Sequence, residues 1–209
     1  MPRIEPHRLS LCVVTSSGFV PARGHLEVAL AAIEGGATAI QLRAPELPDA
    51  SLLPLAEQLA ERCRGFDVTF VVNDRLEVAA KAGGGAHVGQ ADDPWNARAI
   101  LGTDAILGVS VGTPEEARAA AAAGADYLGV TVWSTPTKTD AVPRGLDGLR
   151  AVVQATSLPV VGIGGIDTHN ALEVLRAGAA GIAVVSAVGA APDMMEATRR
   201  LVAVVRGER

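Results

Sequence analysis

A closed barrel of eight parallel strands, each followed by a helix, is the fold this sequence predicts, and three observations lead to it. A unit of β-branched apolar run, polar turn and Ala/Leu-rich segment recurs eight times along the 209 residues, several of the segments closing on a Gly-Ala or Ala-Gly step. Hydrophobic residues make up 49% of the chain but aromatic residues only 3%, so its core is Val, Ile, Leu and Ala, which suits close strand–helix packing. Finally, the polar residues gather where strands hand over to helices, the end of such a barrel that carries chemistry. An open doubly wound sheet is the alternative that the repeat count disfavours.

In chain order, the apolar runs predict strands at 11–15, 39–43, 69–73, 86–89, 106–110, 127–132, 159–163 and 181–185. Helix-like segments fall at 24–35, 50–63, 76–82, 95–101, 114–123, 146–156, 168–177 and 193–206. Gly36-Ala37, Gly124-Ala125 and Ala177-Gly178 supply the helix stops. Thr113-Pro114-Glu115-Glu116 is a helix start, with a capping hydroxyl, proline at the first position and two early acids. No linker or low-complexity stretch divides the chain, so residues 1–209 are expected to form one domain.

The stretch 159–187 organises the rest. Two strand-like runs joined by one helix make a βαβ unit. Gly162, Gly164 and Gly165 end the first run and Ser186 ends the second, at the same edge of the sheet. Crowded backbone N–H groups there can hold a phosphate, as in the last two units of a barrel. The glycines alone could equally form a tight turn needing positive φ. A dinucleotide site is excluded, because the final glycine of G-x-G-x-x-G is missing.

Charge and composition remove other classes. A net charge of −5 argues against a nucleic-acid partner. Cys12 and Cys63 lie far apart with no second pair, so neither a zinc knuckle nor a disulfide framework is indicated. The run at 11–14 is too short for a signal peptide, and no run reaches the ~18 apolar residues of a membrane span. A soluble cytoplasmic protein is expected.

Seven of the eight strand ends carry groups suited to anions or metal. Asp74 and Asp92 end neighbouring strands and can converge on one hard cation, though each could instead cap the helix it precedes. Arg43 and Lys138 are cations on opposite sides of the mouth that could neutralise a pyrophosphate together with Mg²⁺. Thr135 and Thr137 can donate hydroxyls to a phosphate or act as ordinary turn residues. Their loop, 135–145, is long, polar and proline-containing, and suits a lid. His87 reads as a core or wall histidine and His169 as a surface one.

Gln41-Leu42-Arg43, Asn73-Asp74-Arg75, His87-Val88-Gly89-Gln90-Ala91-Asp92, Gly108-Val109-Ser110, Thr135-Pro136-Thr137-Lys138-Thr139-Asp140, Gly162-Ile163-Gly164-Gly165-Ile166 and Val184-Val185-Ser186 follow one another in the order and spacing of the thiamine phosphate synthase family. The chain resembles that family over nearly its whole length. The resemblance implies a TIM barrel that couples hydroxymethylpyrimidine pyrophosphate to thiazole phosphate, or its carboxylated form, with Mg²⁺ and release of pyrophosphate. By position, Asp74 and Asp92 would hold Mg²⁺. Gln41, Arg43, Asn73, Ser110 and Lys138 would contact the pyrimidine pyrophosphate, with Arg43, Ser110 and Lys138 acting in catalysis. Thr135, Pro136, Thr137, Gly165, Val185 and Ser186 would hold the thiazole phosphate. The partners implied are phosphorylated small molecules, and a homo-oligomer is allowed.

Two departures stand at the mouth. Where the family usually reads Gln-x-Arg-x-Lys, this chain has Pro45, and its sixth strand, Val130-Thr131-Val132-Trp133, is one residue shorter. Mg²⁺ and the remaining cations are expected to compensate for Pro45. The rival readings are the related thiazole tautomerase and a non-catalytic phosphate-binding barrel. The tautomerase tends to lack the Asp pair and carries a His near strand six; here both aspartates are present and no His lies between Tyr127 and Lys138.

Overall fold

The computed structural model describes residues 4–20, 23–134 and 141–207. Eight parallel strands close in sequence order, β1 (Leu11–Val14), β2 (Ala39–Leu42), β3 (Thr69–Asn73), β4 (Gly85–Val88), β5 (Leu107–Ser110), β6 (Tyr127–Thr131), β7 (Val160–Ile163) and β8 (Gly181–Val184), with β8 pairing back onto β1. The predicted (β/α)₈ barrel is therefore the fold. Around it lie α1 (His25–Glu34), α2 (Asp49–Gly65), α3 (Leu76–Ala82), α4 (Pro94–Leu101), α5 (Pro114–Ala122), α6 (Gly145–Gln154), α7 (Ala171–Arg176), α8 (Ser186–Gly189) and α9 (Met194–Arg206).

The core has two layers. The larger lies between strands and helices and joins residues such as Val28, Ile40, Leu59, Leu107, Leu149 and Leu201. The smaller fills the barrel itself with Cys12, Val14, Ala39, Tyr127, Val161 and Ala183. Ile4 and Leu9, from the N-terminal segment with its 3₁₀ turn Pro6–Leu9, close the floor of that inner layer. A Cβ on Gly181 would collide with the Leu9 carbonyl, so glycine is what lets this plug seat against β8.

Some helix starts follow the capping rules. Thr113 Oγ1 accepts from Glu116 N at 3.2 Å, as its sequence predicts, and Asp193 Oδ1 accepts from Glu196 N at 2.9 Å. The helix expected at 168–177 begins late, at Ala171, because side chains compete for the backbone. Asp167 Oδ1 accepts from His169 N at 2.7 Å, and Asn170 Oδ1 from Asp167 N at 2.9 Å. The sequence reading also missed α8, whose four small residues Ser-Ala-Val-Gly carry no amphipathic signal. Below the strands, Arg98 pairs with Asp126 at 2.7 Å and both are largely buried, a structural bridge at the end of the barrel away from the mouth. No helix among the described residues is long and apolar enough to cross a membrane.

Candidate active site

At the C-terminal end of the barrel lies a cavity of about 690 Å³. Gln41, Arg43, Asn73, Asp74, Asp92, Ser110, Gly165, Val185 and Ser186 all line it. Thr135, Pro136, Thr137 and Lys138 lie outside the described residues, as does most of the expected lid.

The glycine turn after β7 holds φ of 97° at Gly164 and 62° at Gly165, a region side chains rarely adopt. A Cβ on Gly164 would also strike the Trp133 carbonyl oxygen. The Trp133 carbonyl thus lies directly over the glycine turn, whose requirement for positive φ is met by glycine at both positions. Asn170 Nδ2 donates to the Gly165 carbonyl at 2.8 Å, which fixes the turn from below. Beside it, after the neighbouring β8, Ser186 opens α8, where the Ser186 and Ala187 N–H groups precede the first helical bonds, those from Val188 N and Gly189 N to the Val185 carbonyl.

Asp74 and Asp92 follow β3 and β4, which are hydrogen-bonded neighbours. The capping alternative does not describe them: Asp93 caps α4, accepting from Trp95 N at 2.9 Å, and Arg75 occupies the cap position of α3. Asp92 Oδ2 instead accepts from Gly89 N at 2.7 Å. Asp74 has φ of 63°, a left-handed conformation costing an L-residue roughly 1–2 kcal/mol. Its amide donates to the His87 carbonyl at 2.9 Å, so the turn that tilts Asp74 into the mouth is tied to β4. Among the described residues no three His, Cys, Asp or Glu side chains cluster as a closed metal cage. Two carboxylates beside a roomy polar cavity fit Mg²⁺, which keeps waters and takes phosphate oxygens.

Inside the mouth, His87 is a wall residue, as the sequence suggests, with both ring nitrogens engaged. Its Nδ1 lies 3.0 Å from the Tyr127 hydroxyl and its Nε2 2.9 Å from Ser110 Oγ. A Cβ on Gly108 would collide with both rings, so that glycine is what allows them to meet. Burial pushes the Tyr127 phenol well above its ordinary range, with Cys12 adding to the shift and a hydrogen bond with Gln41 opposing it. Gln41, Tyr127, His87 and Ser110 therefore form one polar chain across the barrel. Burial also pushes the Cys12 thiol, which lines the cavity, up to about 12, so it stays protonated and is no thiolate nucleophile.

A second network escaped the sequence reading. Buried His25 places Nδ1 2.9 Å from Thr15 Oγ1 and Nε2 2.7 Å from Glu46 Oε1. Thr15 Oγ1 also accepts from Arg43 N at 3.2 Å, and Ser17 Oγ donates to Glu46 at 2.6 Å. This clasp ties the β1 and β2 turns to α1 and fixes the backbone from which Arg43 projects. Partial burial alone would raise the Glu46 pKa, but the Ser17 and His25 hydrogen bonds outweigh it and hold the group down to about 2. A carboxylate depressed in the fold contributes stability that is complete above its ordinary pKa of 4.5 and fades as pH falls toward about 2. Glu46→Gln should therefore flatten the acid limb of a Tm-against-pH curve between those values; an unchanged limb would show that Glu46 is not held this way.

Comparison with known proteins agrees with this architecture. A family profile described as thiamine monophosphate synthase matches residues 11–188. The thiamine-phosphate synthase of Moorella thermoacetica is 49% identical over 199 residues, 93% of this chain and 95% of that protein. That of Methanocella arvoryzae is 47% identical over 93% of this chain and 94% of its own length. The structure of thiamine phosphate pyrophosphorylase from Pyrococcus furiosus superposes with a TM-score of 0.89 at 40% identity, covering 97% of this chain and 98% of that one. With a profile matched from the first strand to the turn after the last, and relatives covered over nearly their whole length, the chain belongs to the thiamine monophosphate synthase family.

Proposed function

We propose that the cavity joins hydroxymethylpyrimidine pyrophosphate to thiazole phosphate by a dissociative substitution, releasing pyrophosphate. The observation that carries the proposal is the two-sided mouth: carboxylates and Arg43 on one side, the glycine–serine cradle on the other. Asp74 and Asp92 would hold Mg²⁺, which when bound supplies positive charge to the leaving pyrophosphate. Arg43 and Lys138 add fixed charge there, and Gln41, Asn73 and Ser110 bind the rest of that substrate. Gly165, Val185 and Ser186, with Thr135, Pro136 and Thr137, hold the thiazole by its phosphate.

The aminopyrimidine stabilises positive charge on its exocyclic CH₂. The C–O bond can thus break first, its electron pair leaving with pyrophosphate, and the thiazole nitrogen lone pair then forms the C–N bond. A ring nitrogen without a proton to lose needs no general base, which fits a mouth whose thiol is kept neutral and whose His87 is engaged on both nitrogens. What the chain must add is orientation and exclusion of water, the task expected of the loop after β6. The proposal implies small phosphorylated substrates, no nucleic-acid or membrane partner, and a cytoplasmic enzyme with Cys12 and Cys63 as free thiols, as they are here.

Incubating the two precursors with Mg²⁺ should yield thiamine phosphate and pyrophosphate in equal amounts. Pyrophosphate released without thiamine phosphate, or a rearranged thiazole alone, would contradict the coupling. Because Pro45 leaves the β2 end one cation short of the family pattern, Pro45→Lys should lower the KM for the pyrimidine substrate severalfold. An unchanged or raised KM would show that the charge is already supplied elsewhere.

A further inference from the structure

The cavity wall carries a second guanidinium, Arg144, at the cap position of α6. Its backbone is anchored where β6 ends, Arg144 N donating to the Thr131 carbonyl at 2.9 Å. Its side chain reaches across to the β5–α5 turn and packs on Gly112, where any Cβ would collide with Nε, Cζ and Nη2. Gly112 lies two residues beyond Ser110 in the chain, so the guanidinium is seated on the pyrophosphate side of the mouth.

Elsewhere in the fold, arginines that reach inward are matched. Arg98 bonds to Asp126 and to the carbonyls of Gly102, Ala105 and Gly124, and Arg23 bonds to those of Ala191 and Pro192. Arg144 is not: its Nε is buried with no hydrogen-bond partner among the described residues. Glu116, the acid in the first turn of α5, is engaged instead by the Gly112 amide at 2.6 Å and the Gln90 side-chain amide at 2.8 Å. A buried, unsatisfied donor on a cationic group is expensive unless something completes it, and a polyanion in this cavity would do so.

We propose that Arg144 binds the pyrophosphate of the first substrate from the β5–β6 side of the mouth, in addition to Arg43 and apart from the cation that Pro45 leaves out beyond β2. The inference rests on the proposed function. Gly112 is the permissive partner, because only a residue without a side chain leaves the guanidinium its seat. A planar fork on an oxyanion is also the geometry in which arginine outperforms lysine.

Calorimetric titration of inorganic pyrophosphate with Mg²⁺ tests this on wild type, Arg144→Gln and Arg144→Lys. Arg144→Gln, which keeps much of the stem but removes the charge, should weaken binding about tenfold or more, and Arg144→Lys should recover part of the loss. The KM for the pyrimidine substrate should rise by a similar factor while that for thiazole phosphate stays within about twofold. Gly112→Ala, which displaces the guanidinium without removing it, should reproduce the loss and serves if Arg144→Gln does not fold. Pyrophosphate affinity within about twofold of wild type in Arg144→Gln or Gly112→Ala, or equal rises in both KM values, overturns the assignment. Wild-type protein that binds no pyrophosphate overturns the proposed function as well, whereas wild-type binding with an indifferent variant overturns the role of Arg144 alone.

Discussion

Asp92→Ala is expected to abolish Mg²⁺-dependent turnover, at least about 10³-fold, while leaving the barrel folded. The carboxylate lies on the turn after β4 and, among the described residues, bonds to the Gly89 amide, so its loss removes a tie within a surface turn and nothing from the core. Asp93 continues to cap α4. Tm should therefore fall by only a few degrees, in keeping with about 1 kcal/mol for one exposed bond. Activity and Tm measured on the same preparation separate the two effects. Turnover near the wild-type level would remove Asp92 from the metal site, and a large drop in Tm would assign it a structural role instead.

Ser186→Asp should strike the other substrate. Ser186 opens α8 at the cavity wall, beside the Gly164–Gly165 turn, where the proposed ligand is a phosphate dianion. A carboxylate there replaces a donor with a like charge and occupies the helix N-terminus that the phosphate would use. Helix stability should be kept or slightly raised, since an acid is favourable at that position. The KM for thiazole phosphate is expected to rise on the order of 100-fold, with the KM for the pyrimidine substrate little changed. Equal losses for both substrates would mean that the two phosphates do not occupy separate halves of the mouth.

What the sequence made legible, and what it did not, follows from the range of the interactions. The barrel could be read because each unit is local: an apolar run, a turn and a helix stop such as Gly124-Ala125 or Ala177-Gly178. The glycine turn could be read because Gly164 and Gly165 sit at positive φ, a backbone requirement that only a narrow choice of residues meets. The aspartates could be ranked as metal ligands or caps only in part, since that choice turns on Asp93 taking the cap that Asp92 might have filled. Arg144 was invisible, because Pro143-Arg144-Gly145 reads as a surface turn and what seats its guanidinium is Gly112, distant in the chain. The Thr15–His25–Glu46 clasp was missed for the same reason: the turn after β1, the start of α1 and the turn after β2 contribute one residue each, and no spacing joins them. The shortened sixth strand could be read only as a departure from the family pattern at the mouth; that its Trp133 carbonyl lies over Gly164 is a contact between turns distant in the chain.

The chain is a transferase of the thiamine monophosphate synthase family, and the central claim about it is that its mouth is divided between two phosphorylated partners. A crystal structure with thiamine phosphate, pyrophosphate and Mg²⁺ tests that most directly. The predicted result is Mg²⁺ on Asp74 and Asp92 with pyrophosphate against Arg43, and the product's phosphate held by Gly165 and Ser186. Pyrophosphate seated in the glycine–serine cradle, or Mg²⁺ bound away from both aspartates, would contradict the account.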